Sequence, residues 1–84
     1  MRLRSDNLTW REIDGETVLL DLAGSKYLTV NSTGTTLLHL LVEERDRAEL
    51  IEALTATYGI SDERAETDVD DFVGALAAKG LLAV

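Results

Sequence analysis

His39 is the one histidine in the chain, and it stands among leucines in the run LLHLL. A side chain acting as general acid or base needs a second polar group within hydrogen-bond reach. The apolar neighbours instead suggest a partly buried structural position. Four carboxylates crowd a later stretch, Glu66, Asp68, Asp70 and Asp71. They lack the loop glycine and alternating oxygen ligands of a calcium site, so they read as a solvated face. Gly24-Ser25-Lys26 lacks the earlier glycine that a phosphate loop requires. Cysteine is absent, which removes disulfides, thiolate metal sites and thiol nucleophiles. No catalytic residue, metal or cofactor is expected. The chemistry that remains is binding, and backbone N–H and C=O groups can supply it.

The segment best suited to that is KYLTV, Lys26 to Val30, five strand-forming residues without proline and with a charge only at the start. Two strands precede it. LTWREI (Leu8 to Ile13) alternates apolar and polar residues, and TVLLDL (Thr17 to Leu22) is strongly apolar, with DGE and AGS as turn signals between them. Short turns make an antiparallel meander with the second strand central and the first and third at its edges. Edges are normally blunted by lysine, proline or bulges, and here only Lys26 guards the start of the third strand.

Three helices come next. Asn31, Ser32 or Thr33 caps the first, whose body TTLLHLLVEE carries Leu37, Leu38, Leu40 and Leu41, too many for one narrow stripe. Asp46 and Glu49 have capping-box spacing and open the second helix, with Leu50, Ile51, Leu54 and Tyr58 on one face and Gly59 at its stop. Ser61 caps the third, where Ala65, Val69, Phe72, Val73 and Leu76 recur at helical spacing before Gly80 ends it. The expected fold is α+β, a single domain over residues 1–84. It is winged helix-turn-helix-like: a three-stranded antiparallel sheet followed by a three-helix bundle, βββααα.

Helix, glycine-containing turn and helix in ELIEALTATYGISDERAETDVDDFV suggest nucleic-acid binding, but the charges oppose it. The would-be recognition helix, Asp62 to Lys79, has six acids and two bases, and the whole chain carries a formal charge of −8. Phosphate contacts require Lys or Arg. An acyl carrier protein, also small and acidic, is helical from the start and carries its modified serine before a leucine. None of Ser5, Ser25, Ser32 and Ser61 has that context. The amino terminus has no signal-like apolar run and no segment is long enough to span a membrane, so a soluble cytoplasmic protein is expected, bound to neither membrane nor nucleic acid.

Peptide capture is the remaining function. An extended segment can add to the third strand along Lys26, Tyr27, Leu28, Thr29 and Val30. If the third helix packs beside that edge, Val69, Phe72, Val73 and Leu76 give the groove an apolar wall, and Asp68 with Asp71 gives it an acidic rim.

These features resemble the PqqD-like family, the recognition elements that hold leader peptides of ribosomally made, post-translationally modified peptides. The resemblance spans nearly the whole chain and is carried by VLLDLAGSKYLTVNSTG (Val18 to Gly34) and TYGISDERAETDVDDFVGALAAKGLL (Thr57 to Leu82). The family's third-strand aromatic corresponds to Tyr27. Its Leu-Asn-x-Thr-Gly corresponds to Val30-Asn31-Ser32-Thr33-Gly34, with Val in place of Leu. Within the family the pattern looks most like the free-standing leader-binding protein of lasso-peptide biosynthesis. A recognition element for another modified-peptide class is the alternative. The resemblance implies a non-catalytic adaptor that binds a precursor's leader at the third strand. Its further partners would be a transglutaminase-like leader peptidase and an asparagine-synthetase-like lasso cyclase.

Overall fold

The computed structural model describes residues 1–83. Its elements are β1 (Leu8–Ile13), β2 (Glu16–Asp21), β3 (Lys26–Val30), α1 (Ser32–Leu40), α2 (Arg47–Tyr58) and α3 (Asp62–Ala78). That is the expected βββααα order. The sheet is antiparallel with order β1-β2-β3, so the apolar strand is central.

Each join has a local cause. Asp14 and Gly15 both take positive φ (53° and 81°), the requirement of a two-residue turn whose twist matches the strands. After β2, the Asp21 carboxylate accepts from the Ala23 and Gly24 N–H groups and holds the second turn. Leu22, expected in the strand, lies just past it, although its N–H still donates to the Asn7 carbonyl at 2.8 Å.

Asn31 is the residue that caps α1, its side chain accepting from the Gly34 N–H at 3.0 Å. The leucine-rich run predicts a helix as far as Glu44, whereas α1 ends at Leu40. The chain's own first residues bind the segment beyond it: Leu3 N–H donates to the Leu41 carbonyl, and Arg45 N–H to the Met1 carbonyl. Asp46 and Glu49 form the capping box of α2, and Gly59 closes it at φ 64°. For α3, Leu81 N–H reaches back to the Leu76 carbonyl at 2.9 Å and Gly80 N–H to Ala77, the paired bonds of a Schellman stop.

One core joins these elements. Leu19 from β2, Leu37, Leu38 and Leu41 from α1 and its end, Leu50 and Leu54 from α2, and Ala65, Val69 and Leu76 from α3 are all fully buried. At about 1.5–3 kcal/mol per buried leucine, this cluster is the main drive to fold. The helices cover a single face of the sheet. Thr17, Leu19 and Asp21 point into it, while Val18 and Leu20, one residue out of phase, point away. Buried Thr17 bonds the Thr35 hydroxyl at 2.8 Å, and buried Asp21 pairs with Arg4 at 2.6 Å. Burial would push the Asp21 carboxyl up. The Arg4 guanidinium and the turn N–H groups outweigh that and hold it below the usual carboxylate range. No helix among the described residues is long and apolar enough to cross a membrane.

Candidate functional site

β3 pairs with β2 along one flank, from Asp21↔Lys26 to Thr17↔Val30. Among the described residues nothing pairs with its other flank. The register shows which backbone groups are free there. Leu22 bonds across to Asn7, on the β1 side. By the alternation of an antiparallel ladder, Leu20, Val18 and Glu16 also bond toward β1, and Asp21, Leu19 and Thr17 bond toward β3. Their partners on β3 are Lys26, Leu28 and Val30. The N–H and C=O groups of Tyr27 and Thr29 therefore point out of the sheet. Side chains follow the opposite rule: Leu28 and Val30 turn toward the helices, and Tyr27 and Thr29 toward the bare face.

Beside this edge lies a cavity of about 370 Å³. One wall is Leu28, Thr29 and Val30, and the other is Asp68, Asp71, Phe72 and Ala75 of α3. Its floor comes from the start of α1, at Asn31, Thr33 and Gly34, and Glu16 closes one end. Gly34 brings the three elements this close. A Cβ there would collide with the Val30 side chain and come within 3.2 Å of the Phe72 ring. The lining carries three carboxylates, Glu16, Asp68 and Asp71, and no cation. Asp68 has only a loose contact with Arg64 at 4.0 Å, and Glu16 and Asp71 form no ion pair among the described residues.

The expected site residues divide accordingly. Leu28, Thr29, Val30, Asp68 and Phe72 come together at the groove. Lys26 and Tyr27 belong to the same strand but do not line the cavity. Val69 and Leu76, expected on the wall, are fully buried behind it in the core. Val73 packs against the core from the far flank of α3, rotated about 140° from Asp68 at the helical pitch. Ala75, Gly34, Thr33, Asn31 and Glu16 complete the lining instead. The spacing Asp68, Phe72, Ala75 was available as a helical face. Without the packing, nothing distinguished it from its more apolar neighbour.

His39 is also placed differently from expectation. Leu37, Leu38 and Leu41 turn inward, so the intervening residue faces out, 55% exposed, and its Nε2 lies 2.6 Å from Glu12 Oε1. Asp70, expected on a solvated face, takes a two-pronged bond from Arg47 at 2.8 and 2.9 Å, tying α2 to α3. The guanidinium holds the Asp70 carboxyl below the usual range.

The family model described as "Coenzyme PQQ synthesis protein D (PqqD)" matches residues 16–82. This chain belongs to the PqqD family. The matched span takes in both walls and the floor of the groove. Two solved structures share that fold. One is "TbiB1 in Complex with the TbiA(beta) Leader Peptide", with TM-score 0.82 and 35% identity over 98% of this chain and 94% of that one. The other is "Lasso peptide synthetase B1 complexed with the leader peptide", with TM-score 0.78 and 28% identity over 95% and 93%. These matches bear out the resemblance to PqqD-like recognition elements and to the lasso-type members among them. No curated protein matches the chain significantly.

Proposed function

We propose that this chain, acting as a single recognition domain over residues 1–84, holds the leader of a ribosomally made precursor as a fourth strand against β3. The observation that carries the reading is the unpaired flank of β3 beside a cleft walled by α3. Tyr27 and Thr29 offer the backbone bonds, at roughly 0.5–1.5 kcal/mol net each. Leu28, Val30, Phe72 and Ala75 receive leader side chains, and Asp68, Asp71 and Glu16 favour a basic flank on the ligand. Both structural relatives are described in complex with leader peptides, which supports the same ligand class here.

The domain then works by tethering. It is a cytoplasmic adaptor without catalysis of its own, and it presents the core peptide to a transglutaminase-like leader peptidase and an asparagine-synthetase-like cyclase. Holding the leader raises the local concentration of the core, so a weak enzyme–core contact suffices.

Titration calorimetry with the leader segment tests the reading. Wild-type protein should show saturable one-to-one binding and leave the peptide's mass unchanged. Thr29→Pro removes an outward N–H from the edge and should weaken binding at least about tenfold while circular dichroism stays native. Undiminished affinity in the folded variant rejects strand addition, and cleavage or cyclisation by the chain alone rejects the adaptor role.

A further inference from the structure

We propose that the opposite edge of the sheet, β1, takes an added strand of its own: an extended segment of another protein that carries a carboxylate next but one to an apolar side chain. The inference goes beyond leader binding and does not depend on it.

β1 is open along its outer flank. Thr9, Arg11 and Ile13 face Leu20, Val18 and Glu16, the β2 residues that bond toward β1. The N–H and C=O groups of Leu8, Trp10 and Glu12 therefore point out of the sheet, and no strand pairs with them among the described residues. LTWREI contains neither proline nor lysine, so little blunts this edge. Beside it, on the helix-covered side, lies a cavity of about 290 Å³ lined by Leu8, Trp10, Val42 and the first residues from Arg2 to Ser5.

The first residues give this cleft its charge. Leu3 is buried, bridges to Leu82 and donates its N–H to the Leu41 carbonyl at 2.8 Å, which pins the segment in place. Arg2 and Arg4 stand on either side of that anchor, and both line the cleft. Arg4 is committed to Asp21 at 2.6 Å and to the Gly80 carbonyl at 2.9 Å. Arg2 forms no ion pair among the described residues. No carboxylate lines this cavity, whereas the groove at β3 has three carboxylates and no cation. The two edges thus favour guests of opposite charge.

At β1 the residues that offer backbone bonds also line the cleft, because Leu8 and Trp10 turn to the helix side and are half-buried. A guest residue directly opposite one of them sends its side chain the same way. An apolar guest residue opposite Trp10 meets the indole and Val42, which is 53% exposed. A carboxylate two places along, opposite Leu8, pairs with Arg2. It belongs there and not opposite Glu12, where like charges would meet. A second copy of this chain is a poor guest. Glu12 is the one acid of β1, His39 already holds it at 2.6 Å, and each copy carries a net charge of −8.

Trp10 is the only tryptophan, so its fluorescence reports on this cleft. The probe is the capped peptide acetyl-Thr-Val-Thr-Glu-Thr-amide, which in antiparallel register sets valine opposite Trp10 and glutamate opposite Leu8. Titrated into the full chain, it should change Trp10 fluorescence saturably by roughly millimolar concentration, the strength of a small transient contact. Methylating the valine nitrogen, which faces β1, should abolish the change; methylating the central threonine nitrogen, which faces away, should not. Arg2→Glu should weaken binding about tenfold or more, the loss expected when a charge-assisted bond is removed. Arg11→Glu makes the same charge change on the helix-free face and should cost much less. Saturating leader peptide should leave probe binding intact. The proposal is overturned by the lack of a saturable change, by equal tolerance of the two methylated peptides, or by unchanged affinity in Arg2→Glu. Displacement of the probe by leader also overturns it, as does self-association of the chain that the probe reverses, because the edge would then belong to a second copy. Failure here leaves leader binding untouched, and a chain that binds no leader can still pass.

Discussion

Replacing Gly34 with alanine adds one methyl group where the floor of the groove meets both walls. The new Cβ would collide with the Val30 side chain, lie 3.2 Å from the Phe72 ring and 3.3 Å from the Asn31 carboxamide oxygen. Val30 is 3% exposed and β-branched, so it has little room and no easy alternative rotamer. Overpacking of this kind costs about 1–3 kcal/mol. Alanine returns at most about 1 kcal/mol of helix propensity, and less in the first turn than mid-helix. The net expectation is a destabilisation of about 1–2 kcal/mol, or a fall in Tm of roughly 4–16 °C for a domain of this size. Thermal unfolding by circular dichroism measures it, and leader titration on the same sample should show weaker binding as Val30 and Phe72 are pushed apart. A Tm equal to or above wild type would refute the claim that the close approach at Gly34 sets the width of the groove.

Other substitutions probe separate parts of the groove and the fold. Phe72→Ala should weaken leader binding by about 1–3 kcal/mol, read by calorimetry, with a smaller loss of stability because the ring is only half-buried. Asp68→Lys with Asp71→Lys should weaken binding of a leader with a basic flank and flatten its salt dependence, as exposed charges act through a screened field. Asn31→Ala should cost about 1 kcal/mol in denaturant melts by removing the cap on Gly34 N–H. Asp21 titrates below its unfolded value of about 3.9, so its bond to Arg4 stabilises fully above that pH and fades as the pH falls through the folded pKa. The stability gap between wild type and Asp21→Asn should therefore be largest near neutrality and shrink in acid melts as the pH falls below the unfolded carboxylate value of about 3.9.

Much of this fold is written in local signals. The turn at Asp14-Gly15, the caps Asn31, Asp46 and Ser61, and the stops Gly59 and Gly80 each act within a few residues. Their chemistry is readable without knowing what lies opposite. The open third strand was legible for the same reason: meander order is dictated by short turns, and in KYLTV only Lys26, at its start, blunts the edge. The division of α3 was not legible. Val69, Phe72, Val73 and Leu76 share one apolar arc, and only the position of β3 decides that the groove opens on the flank of Asp68 and Ala75 while Val73 faces the other way. The first four residues hid their role too. Leu3 bridges to Leu82 and Arg4 reaches Asp21 at 2.6 Å, contacts between segments far apart in the chain. The early end of α1 depends on that same segment, so periodicity in TTLLHLLVEE alone could not place it.

The alternation along β3 limits what a bound strand can get wrong. With outward amides only at Tyr27 and Thr29, a guest shifted by two residues keeps every main-chain bond and the same side chains inward. A shift of one turns all its inward residues outward. The ladder thus rejects odd frames and is blind to even ones. The choice among even frames falls to the cleft floored by Gly34, which has to accept one bulky guest residue and refuse its neighbours two places away.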